Sequence, residues 1–224
     1  MRGTSEEEIS RGSMDKYEAL RLIHELVDPT FYFEIGVQKG KSIRLAKCPA
    51  VGVDPDPRIS SEGLFKIYKQ SSDEYFYSIF SHHLPADFVF IDGMHLFEQV
   101  LRDFIHTEKM IAHKGTVVVI DDIFPAHPAQ ALRNRRTCKW TGDVWKLLPI
   151  LMSYRSDLQL TCLDTSPTGM LLVQNLDPEN TVLEDNFKCI LATYDKGTVP
   201  GDWIINRHLA RLDVQAAIQE VLCG

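Results

Sequence analysis

The stretch that runs from Ala86 to Asp122 contains ADFVFIDGMHLFEQVLRDF and GTVVVIDD, and it decides the predicted fold. Two short apolar runs, at 88–91 and 117–120, flank a segment in which apolar residues recur at roughly helical spacing. Such runs are typical of strands buried in a sheet, and the spacing between them indicates a helix. The stretch therefore predicts a strand–helix–strand unit of the length that a parallel crossover needs.

Each of these two strands ends in acid. Asp92 follows the first strand, and Asp121 and Asp122 follow the second. In an open parallel sheet, ligands bind just beyond the carboxyl ends of the strands. We therefore interpret this edge of the sheet, where three carboxylates meet, as a candidate active site.

The rest of the chain extends the same alternation. Helices are predicted at 15–27, 42–46, 71–80 and 143–154, and strands at 31–35, 50–53, 64–68, 158–163 and 170–174. We expect the last two strands to form an antiparallel pair around a Ser-Pro-Thr-Gly turn, and 124–141 to be a long loop. The pattern predicts a doubly wound α/β fold with a mostly parallel sheet and a C-terminal antiparallel strand pair.

One domain is expected from the length of 224 residues. Residues 1–13 lack a hydrophobic signal region and look like an expression leader. Residues 14–175 are predicted to form a Rossmann-like ligand-binding domain, and 176–224 a helical extension of the same domain. This extension is either a surface for a homo-oligomer or a cap over a substrate.

Composition excludes several classes of partner. A net charge of −7 argues against nucleic acid, because phosphate binding needs a basic surface. We find no apolar run that approaches 18 residues, and hence predict no membrane-spanning segment. The five cysteines are scattered without a CxxC pair, which favours reduced thiols and a cytoplasmic location.

A glycine turn follows the first predicted strand of the sheet, with the pattern Glu34-x-Gly36-x-x-x-Gly40. Glycines at such a turn let a ligand approach the backbone, and the helix start near Ser42 offers free N–H groups. The spacing is not GxGxxG, which disfavours a nicotinamide dinucleotide. Asp54 ends the next strand, where a carboxylate can accept both hydroxyls of a ribose. The alternatives are an ordinary tight turn and an acid that caps a helix.

Five segments carry a resemblance to a known family: FYFEIGVQKGKS, AVGVDPDP, KQSSDEYF, ADFVFIDGMH and GTVVVIDDIFP. In this order the sequence resembles class I S-adenosylmethionine (SAM)-dependent methyltransferases over about residues 31–123, with TGDVW further on. Within them it is most similar to bacterial metal-dependent O-methyltransferases, including those that act on sugars of macrolides and other glycosides.

The resemblance implies a cofactor site. Its members are Glu34, Gly36 and Gly40 at the methionine end of SAM, Ser42 at the helix start, Asp54 on the ribose hydroxyls, Ser71 and Ser72 near the adenine, and Asp92 at the end of the next strand.

The resemblance also implies a metal site at Asp92, Asp121 and Asp122. An all-oxygen set suits Mg²⁺, with Mn²⁺ or Ca²⁺ as substitutes. The alternative is that one acid of the adjacent pair caps a turn while the other is solvated.

Two histidines are candidate bases. His95 lies three residues after Asp92, where the catechol-type enzymes of this superfamily carry a lysine. It would take the proton from an acceptor hydroxyl, or else it caps a helix or bonds a metal carboxylate. His127 is the rival, although its offset differs from that of the sugar-acting relatives because Phe124 stands at their histidine position. His82 and His83 are expected in a surface loop.

The loop at 124–141 contains a basic run and ends in an indole. The run of Arg133, Arg135 and Arg136 is either a solvated face or a site for an anionic acceptor. Trp145 is expected in the core, whereas Trp140 is open to either a packing or a sugar-stacking role.

We therefore predict a SAM-dependent O-methyltransferase that transfers a methyl group, with metal assistance, to a hydroxyl of a sugar or glycoside. The alternatives are a metal-independent or phenol-directed (catechol-type) methyltransferase and a SAM-binding module without catalysis. The acceptor itself is expected to be a small molecule or a glycan.

Overall fold

One mixed sheet organises the computed structural model, which describes residues 3–78, 85–199 and 210–223. The strands are β1 (Met14–Asp15), β2 (Tyr32–Ile35), β3 (Ala50–Asp54), β4 (Phe65–Lys69), β5 (Phe88–Ile91), β6 (Val117–Ile120), β7 (Gln159–Leu163), β8 (Thr165–Ser166) and β9 (Met170–Gln174). The helices are α1 (Lys16–Val27), α2 (Ser72–Ser78), α3 (Phe97–Met110), α4 (Leu147–Tyr154), α5 (Val182–Tyr194) and α6 (Val214–Cys223).

The strand order in the main sheet is β4-β3-β2-β5-β6-β9-β7 within the described ranges. The first five of these strands pair in parallel, whereas β9 pairs antiparallel with both β6 and β7. The predicted doubly wound α/β fold and its C-terminal antiparallel pair are confirmed. A second, two-stranded pairing joins β1 to β8.

The core lies on both faces of the sheet because its central strands are apolar at every position but one. Every residue of β2, β5 and β6 is buried, which is the pattern expected of parallel strands covered on both sides. On one face α3 packs with a stripe that includes Leu101 and Phe104, together with α4 and α5. On the other face α1 packs through Leu20 and Ile23, against α6 among others.

The order of the strands creates a switch point between β2 and β5. From β2 the chain proceeds to β3 and β4 on one side, and then crosses to β5 and β6 on the other. The loops that leave β2 and β5 therefore diverge and open a crevice at the carboxyl ends of these two strands, where ligands bind in such sheets.

Two predicted helices differ from the observed ones. The segment at 42–46 forms only a single 3₁₀ turn, Ile43–Leu45, because it lies between the turn at Gly40 and the extended chain before Pro49. The segment at 143–154 begins with another 3₁₀ turn before α4, and Pro149 lies in the first turn of α4. An N–H group there has no partner within the helix, so proline is tolerated without a kink.

Other predictions fall partly or wholly on residues that are not described. The end of the predicted helix near Phe80, the histidines His82 and His83, and part of the predicted helical extension at 176–224 lie outside the described ranges. Among the described helices, none is both long and apolar enough to cross a bilayer.

Residues 3–13 lie against the folded domain. The Gln130 side-chain amide donates to the backbone carbonyls of Glu7 and Ile9 at 2.8 Å, and the Ser13 N–H donates to the Asp164 carbonyl at 2.7 Å. Their origin as an expression leader stays a prediction, but these residues are part of the packed structure.

Candidate active site

A cavity of about 790 Å³ opens at the switch point, beyond the carboxyl ends of β2, β3 and β5. Several of the residues predicted from the sequence line it: Gly36, Ser42, Asp54, Ser71, Ser72, Asp92, His95 and Asp122. Glu34, Gly40, Asp121 and His127 are not among the lining residues. The strand order places the glycine turn and Asp54 on one side of the cavity and the His95 cluster on the other.

The glycine turn after β2 lets neighbouring groups come close to its backbone. Gly36 has a φ of +92°, and a Cβ atom at this position would lie 1.9 Å from the Asp92 carbonyl oxygen. A side chain is therefore excluded by both conformation and contact. Gly36 and Asp92 follow the neighbouring strands β2 and β5, and both line the cavity. The absence of a side chain at Gly36 therefore lets the loops after these two strands pack closely together.

Glu34 lies beneath this turn. Its carboxylate is fully buried and accepts hydrogen bonds from the Tyr32 hydroxyl at 2.8 Å and the Ser42 hydroxyl at 2.6 Å. Burial raises the pKa of Glu34 to about 8, although these two hydrogen bonds oppose the change. The predicted contact of Glu34 with SAM stays a prediction, and its observed partners tie β2 to the start of the next segment.

Asp54 is fixed at the end of β3. Its two oxygens accept the backbone N–H groups of Gln38 and Asp56, both at 2.7 Å. A carboxylate oxygen has a second lone pair, so both oxygens retain capacity for the hydroxyls of a ribose. Ser71 and Ser72 line the cavity at the start of α2, and the Ser72 hydroxyl accepts a hydrogen bond from Gln99 at 3.2 Å. Their predicted place near the adenine stays a prediction.

Lys16 joins the acidic cluster, and the sequence reasoning missed it. Its ammonium nitrogen lies 2.9 Å from Asp92 Oδ2 and 2.5 Å from Asp121 Oδ2. Burial raises the pKa of Asp121 to about 7, although the charge of Lys16 opposes this increase. No local motif marks Lys16, because it is the first residue of α1 and lies 76 positions before Asp92.

His95 faces the second acid of the adjacent pair. Its Nδ1 lies 2.8 Å from Asp122 Oδ2, and its Nε2 lies 4.0 Å from Asp92 Oδ1. Burial lowers the pKa of His95, but the ion pair with Asp122 and the charges of the other acids outweigh burial and raise it to about 9. The same pair lowers the pKa of Asp122 against the effect of burial.

Trp140 holds the imidazole of His95 in place. The two rings stack with centroids 5.0 Å apart and planes 6° from parallel. Gly142 comes two residues later with a φ of +56°, and a Cβ there would lie 1.7 Å from the His95 carbonyl oxygen. The end of the predicted loop at 124–141 therefore packs directly against His95, with the Trp140 ring on the imidazole.

The remaining candidates have different positions. His127 caps the short turn Pro128–Ala131, where its Nδ1 accepts the Ala129 N–H at 3.1 Å, so its position gives no support to its role as the base. Arg133 is paired with Glu98 and Asp143. Arg135 lines the cavity. Trp145 is buried, as expected.

Much of the donor set of the acidic cluster is already engaged by the protein, which bears on the predicted magnesium site. Mg²⁺ requires a nearly octahedral set of oxygens. Three of the six carboxylate oxygens of Asp92, Asp121 and Asp122 accept hydrogen bonds from Lys16 and Thr168, and a fourth, Asp122 Oδ2, lies 2.8 Å from His95 Nδ1. In the described part of the chain, the buried Asp121 Oδ1 has no hydrogen-bond partner. Among the described residues, the ligand atoms that lie within 4.8 Å of one another belong to Asp92, His95 and Asp122, which leaves Asp121 out.

Comparisons with known proteins agree with this geometry. A family model described as a methyltransferase domain matches residues 33–123, which is less than half of the chain. No curated protein matches the sequence.

Solved structures share the fold at low sequence identity. The O-methyltransferase from Bacillus cereus, in complex with S-adenosylhomocysteine (SAH), is 15% identical with a TM-score of 0.53 over 70% of this chain and 79% of that one. TomG from Streptomyces achromogenes, an O-methyltransferase of tomaymycin synthesis in complex with SAM, is 18% identical with a TM-score of 0.52 over 72% and 80%. SAH-bound PaMTH1 from Podospora anserina is 11% identical with a TM-score of 0.52 over 71% and 78%.

The matched segment spans the glycine turn, Asp54, His95 and the paired acids. The chain therefore has the α/β Rossmann-like methyltransferase fold, and most of the residues that line its cavity belong to the segment that matches a methyltransferase domain.

Proposed function

We propose that the protein is a SAM-dependent O-methyltransferase whose acceptor is a hydroxyl group of a small molecule, such as a sugar or glycoside. The observation that supports this proposal most is that one cavity has different functional groups on its two sides. One side has the glycine turn and Asp54, and the other has His95 paired with Asp122.

The turn and the carboxylate suit SAM. The backbone at Gly36 leaves no room for a side chain, so a ligand there meets main-chain atoms. When bound, SAM supplies a methyl group on a sulfonium, which an acceptor oxygen takes with release of SAH.

His95 is equipped to remove the acceptor's proton. Its Nδ1 is engaged by Asp122, which leaves Nε2 to receive the proton of the hydroxyl. Asp122 stabilises the imidazolium that results, and Trp140 restricts the ring to one orientation. The hydroxyl proton ends on Nε2, and the resulting oxygen lone pair forms the new bond to carbon.

Metal assistance by Mg²⁺ stays a prediction, and the donor set favours the metal-independent alternative. No step of the mechanism above requires a metal, because the chain's own cations oppose the carboxylates. Lys16 pairs with Asp92 and Asp121, and Arg135 lies at the cavity wall. Such donors also suit the hydroxyl oxygens of a sugar.

Cellular location and assembly also stay predictions. All five cysteines are free thiols, which agrees with the expected cytoplasmic location. The candidate homo-oligomer surface at 176–224 includes α6, which packs against α1.

The test is calorimetric titration of SAH into the wild-type protein and Asp54→Ala. We expect one-to-one binding to the wild type and an affinity roughly tenfold to a hundredfold lower in Asp54→Ala, the effect of losing hydrogen bonds to a charged group. Glu25→Ala, which removes an exposed carboxylate of α1, serves as the matched control and should bind like the wild type. Absence of SAH binding to the wild type would contradict the proposal.

A second measurement separates an enzyme from a binding module. Wild-type protein is incubated with SAM and a panel of glycosides and catechols, with Mg²⁺ or with EDTA, and SAH formation is followed. Turnover with a glycoside supports the proposed acceptor class. SAH binding without turnover on any hydroxyl acceptor would favour the non-catalytic alternative.

A further inference from the structure

We propose that the ammonium of Lys16 is the built-in cation of the acceptor side, where it holds Asp92 and Asp121 in place of a divalent metal ion. This proposal rests on the proposed function, because the acceptor side is the side of the cavity that contains His95, opposite the glycine turn and Asp54. Lys16 would be a positioning residue that keeps the carboxylates of two neighbouring strands together.

The contacts of Lys16 are those of a bridging cation. Its nitrogen lies 2.9 Å from an oxygen of Asp92 and 2.5 Å from an oxygen of Asp121, and these acids follow β5 and β6. The Lys16 side chain is 15% exposed and that of Asp121 is 3% exposed, so water screens this interaction little. Two carboxylates side by side would repel each other without a cation between them.

The position of Lys16 is built into the fold. Lys16 follows Asp15, whose side chain accepts the Tyr17 N–H and caps α1. Immediately before Lys16, Met14 and Asp15 pair with β8. The buried Leu20 and other apolar residues of α1 pack in the core. These three constraints together place the side chain of Lys16, the first residue of α1, next to Asp92 and Asp121.

The other oxygens of the cluster leave little for a metal. Asp122 accepts the Thr168 hydroxyl at 2.7 Å through Oδ1 and pairs with His95 through Oδ2. A divalent ion that used all three acids would compete with the ammonium of Lys16 for Asp92 Oδ2 and Asp121 Oδ2, and with the imidazole of His95 for Asp122 Oδ2. The ammonium of Lys16 is thus a cation that the chain itself supplies to Asp92 and Asp121.

This arrangement makes a measurable prediction about Mn²⁺, an ion that accepts carboxylate and imidazole ligands. The full chain is titrated with MnCl₂, and bound metal is followed by calorimetry and by electron paramagnetic resonance. We expect no saturable binding to the wild type and one bound Mn²⁺ per chain in Lys16→Ala, because the variant exposes carboxylates without their cation. Lys188→Ala, which removes an exposed lysine of α5, is the matched control and should behave like the wild type.

Further variants keep the proposal falsifiable. Lys16→Arg retains the charge and should not bind Mn²⁺, and Lys16→Ala/Asp92→Asn should lose the binding gained by Lys16→Ala. If Lys16→Ala does not fold, the wild type alone decides: saturable Mn²⁺ binding that Asp92→Asn abolishes would overturn the proposal, and its absence would support it. Failure of SAH to bind the wild type would count against the proposed function, but not against the role of Lys16.

Discussion

At the scale of single residues, the protonation of His95 governs the proposed reaction. Only a neutral imidazole accepts a proton, and the acids around His95 hold its pKa near 9 despite burial. We therefore expect kcat/KM to rise with pH up to about 9, since the fraction of neutral His95 increases up to that point. Asp122→Asn removes the paired charge and should move this inflection to lower pH. A rate that is flat between pH 7 and 9 would contradict the assignment.

His127 provides the matched control for His95. We expect His95→Gln to lower kcat by roughly 100- to 10,000-fold, the usual contribution of a general base, with little change in SAH affinity. His127→Gln should retain activity, because His127 caps a short turn and does not line the cavity. The reverse pattern would identify His127 as the base.

At the scale of elements, Asp143 connects α3 to the segment before α4. It accepts the Phe97 N–H at 3.0 Å at the start of α3, where Leu96 provides no side-chain cap, and it pairs with the buried Lys146 at 2.8 Å. We expect Asp143→Ala to lower the free energy of unfolding by about 3 to 5 kcal/mol, because it leaves a buried ammonium without its carboxylate. Urea denaturation measures this change. Glu179→Ala, an exposed acid, should change it little.

The stability of the protein is expected to be sensitive to acid because His24 is buried where α1 packs on the sheet. His24 packs against the rings of Tyr32 and Phe88, whose centroids lie 4.6 Å and 4.7 Å from its own, and burial lowers its pKa to about 4. The unfolded chain, with an ordinary pKa of 6.5, binds more protons than the folded chain between these values, so stability falls as pH falls from 6.5 towards 4. This loss amounts to about 2 kcal/mol at pH 5.

His24→Leu should remove this part of the pH dependence. Urea denaturation of the wild type and the variant at pH 7 and pH 5 provides the test. The difference between the two pH values should shrink in the variant. An equal acid sensitivity in both proteins would show that His24 is not its source.

At the scale of the whole molecule, residues near the beginning of the sequence hold the loop that covers His95. The Glu8 carboxylate accepts the N–H groups of Cys138 at 2.7 Å and Lys139 at 3.2 Å, just before Trp140. These backbone bonds lower the pKa of Glu8. Under the proposed function, the segment therefore fixes a part of the cavity wall next to Trp140 and His95, on the acceptor side.

Glu8→Ala should consequently raise the KM of the acceptor and leave SAH affinity unchanged. Trypsin should also cleave faster after Arg135 or Arg136, because the loop loses backbone partners. Glu6→Ala, which removes an exposed neighbouring acid, is the control. A weaker SAH affinity in Glu8→Ala, with an unchanged acceptor KM, would contradict this division of the cavity.

The sequence by itself determined the features that depend on residues close together in the chain. The apolar runs of β5 and β6, the acids at their ends and the glycines after β2 predicted both the fold and the edge of the sheet that carries the cavity. Such features are recognisable because period, burial and backbone conformation depend on residues close together in the chain. Hence Gly36, Asp54, Asp92 and His95 all line the observed cavity.

Only the tertiary structure decided which groups meet across the chain. Lys16 reaches acids 76 and 105 positions later, and Glu8 binds a loop about 130 positions away. Trp140 stacks on His95 because the loop after β6 folds back over the cavity. These contacts depend on how helices and loops pack on the sheet, a long-range property that no spacing along the chain encodes. For that reason the sequence predicts a metal site at these carboxylates, whereas the contacts that they make with Lys16 and His95 become visible only in the folded chain.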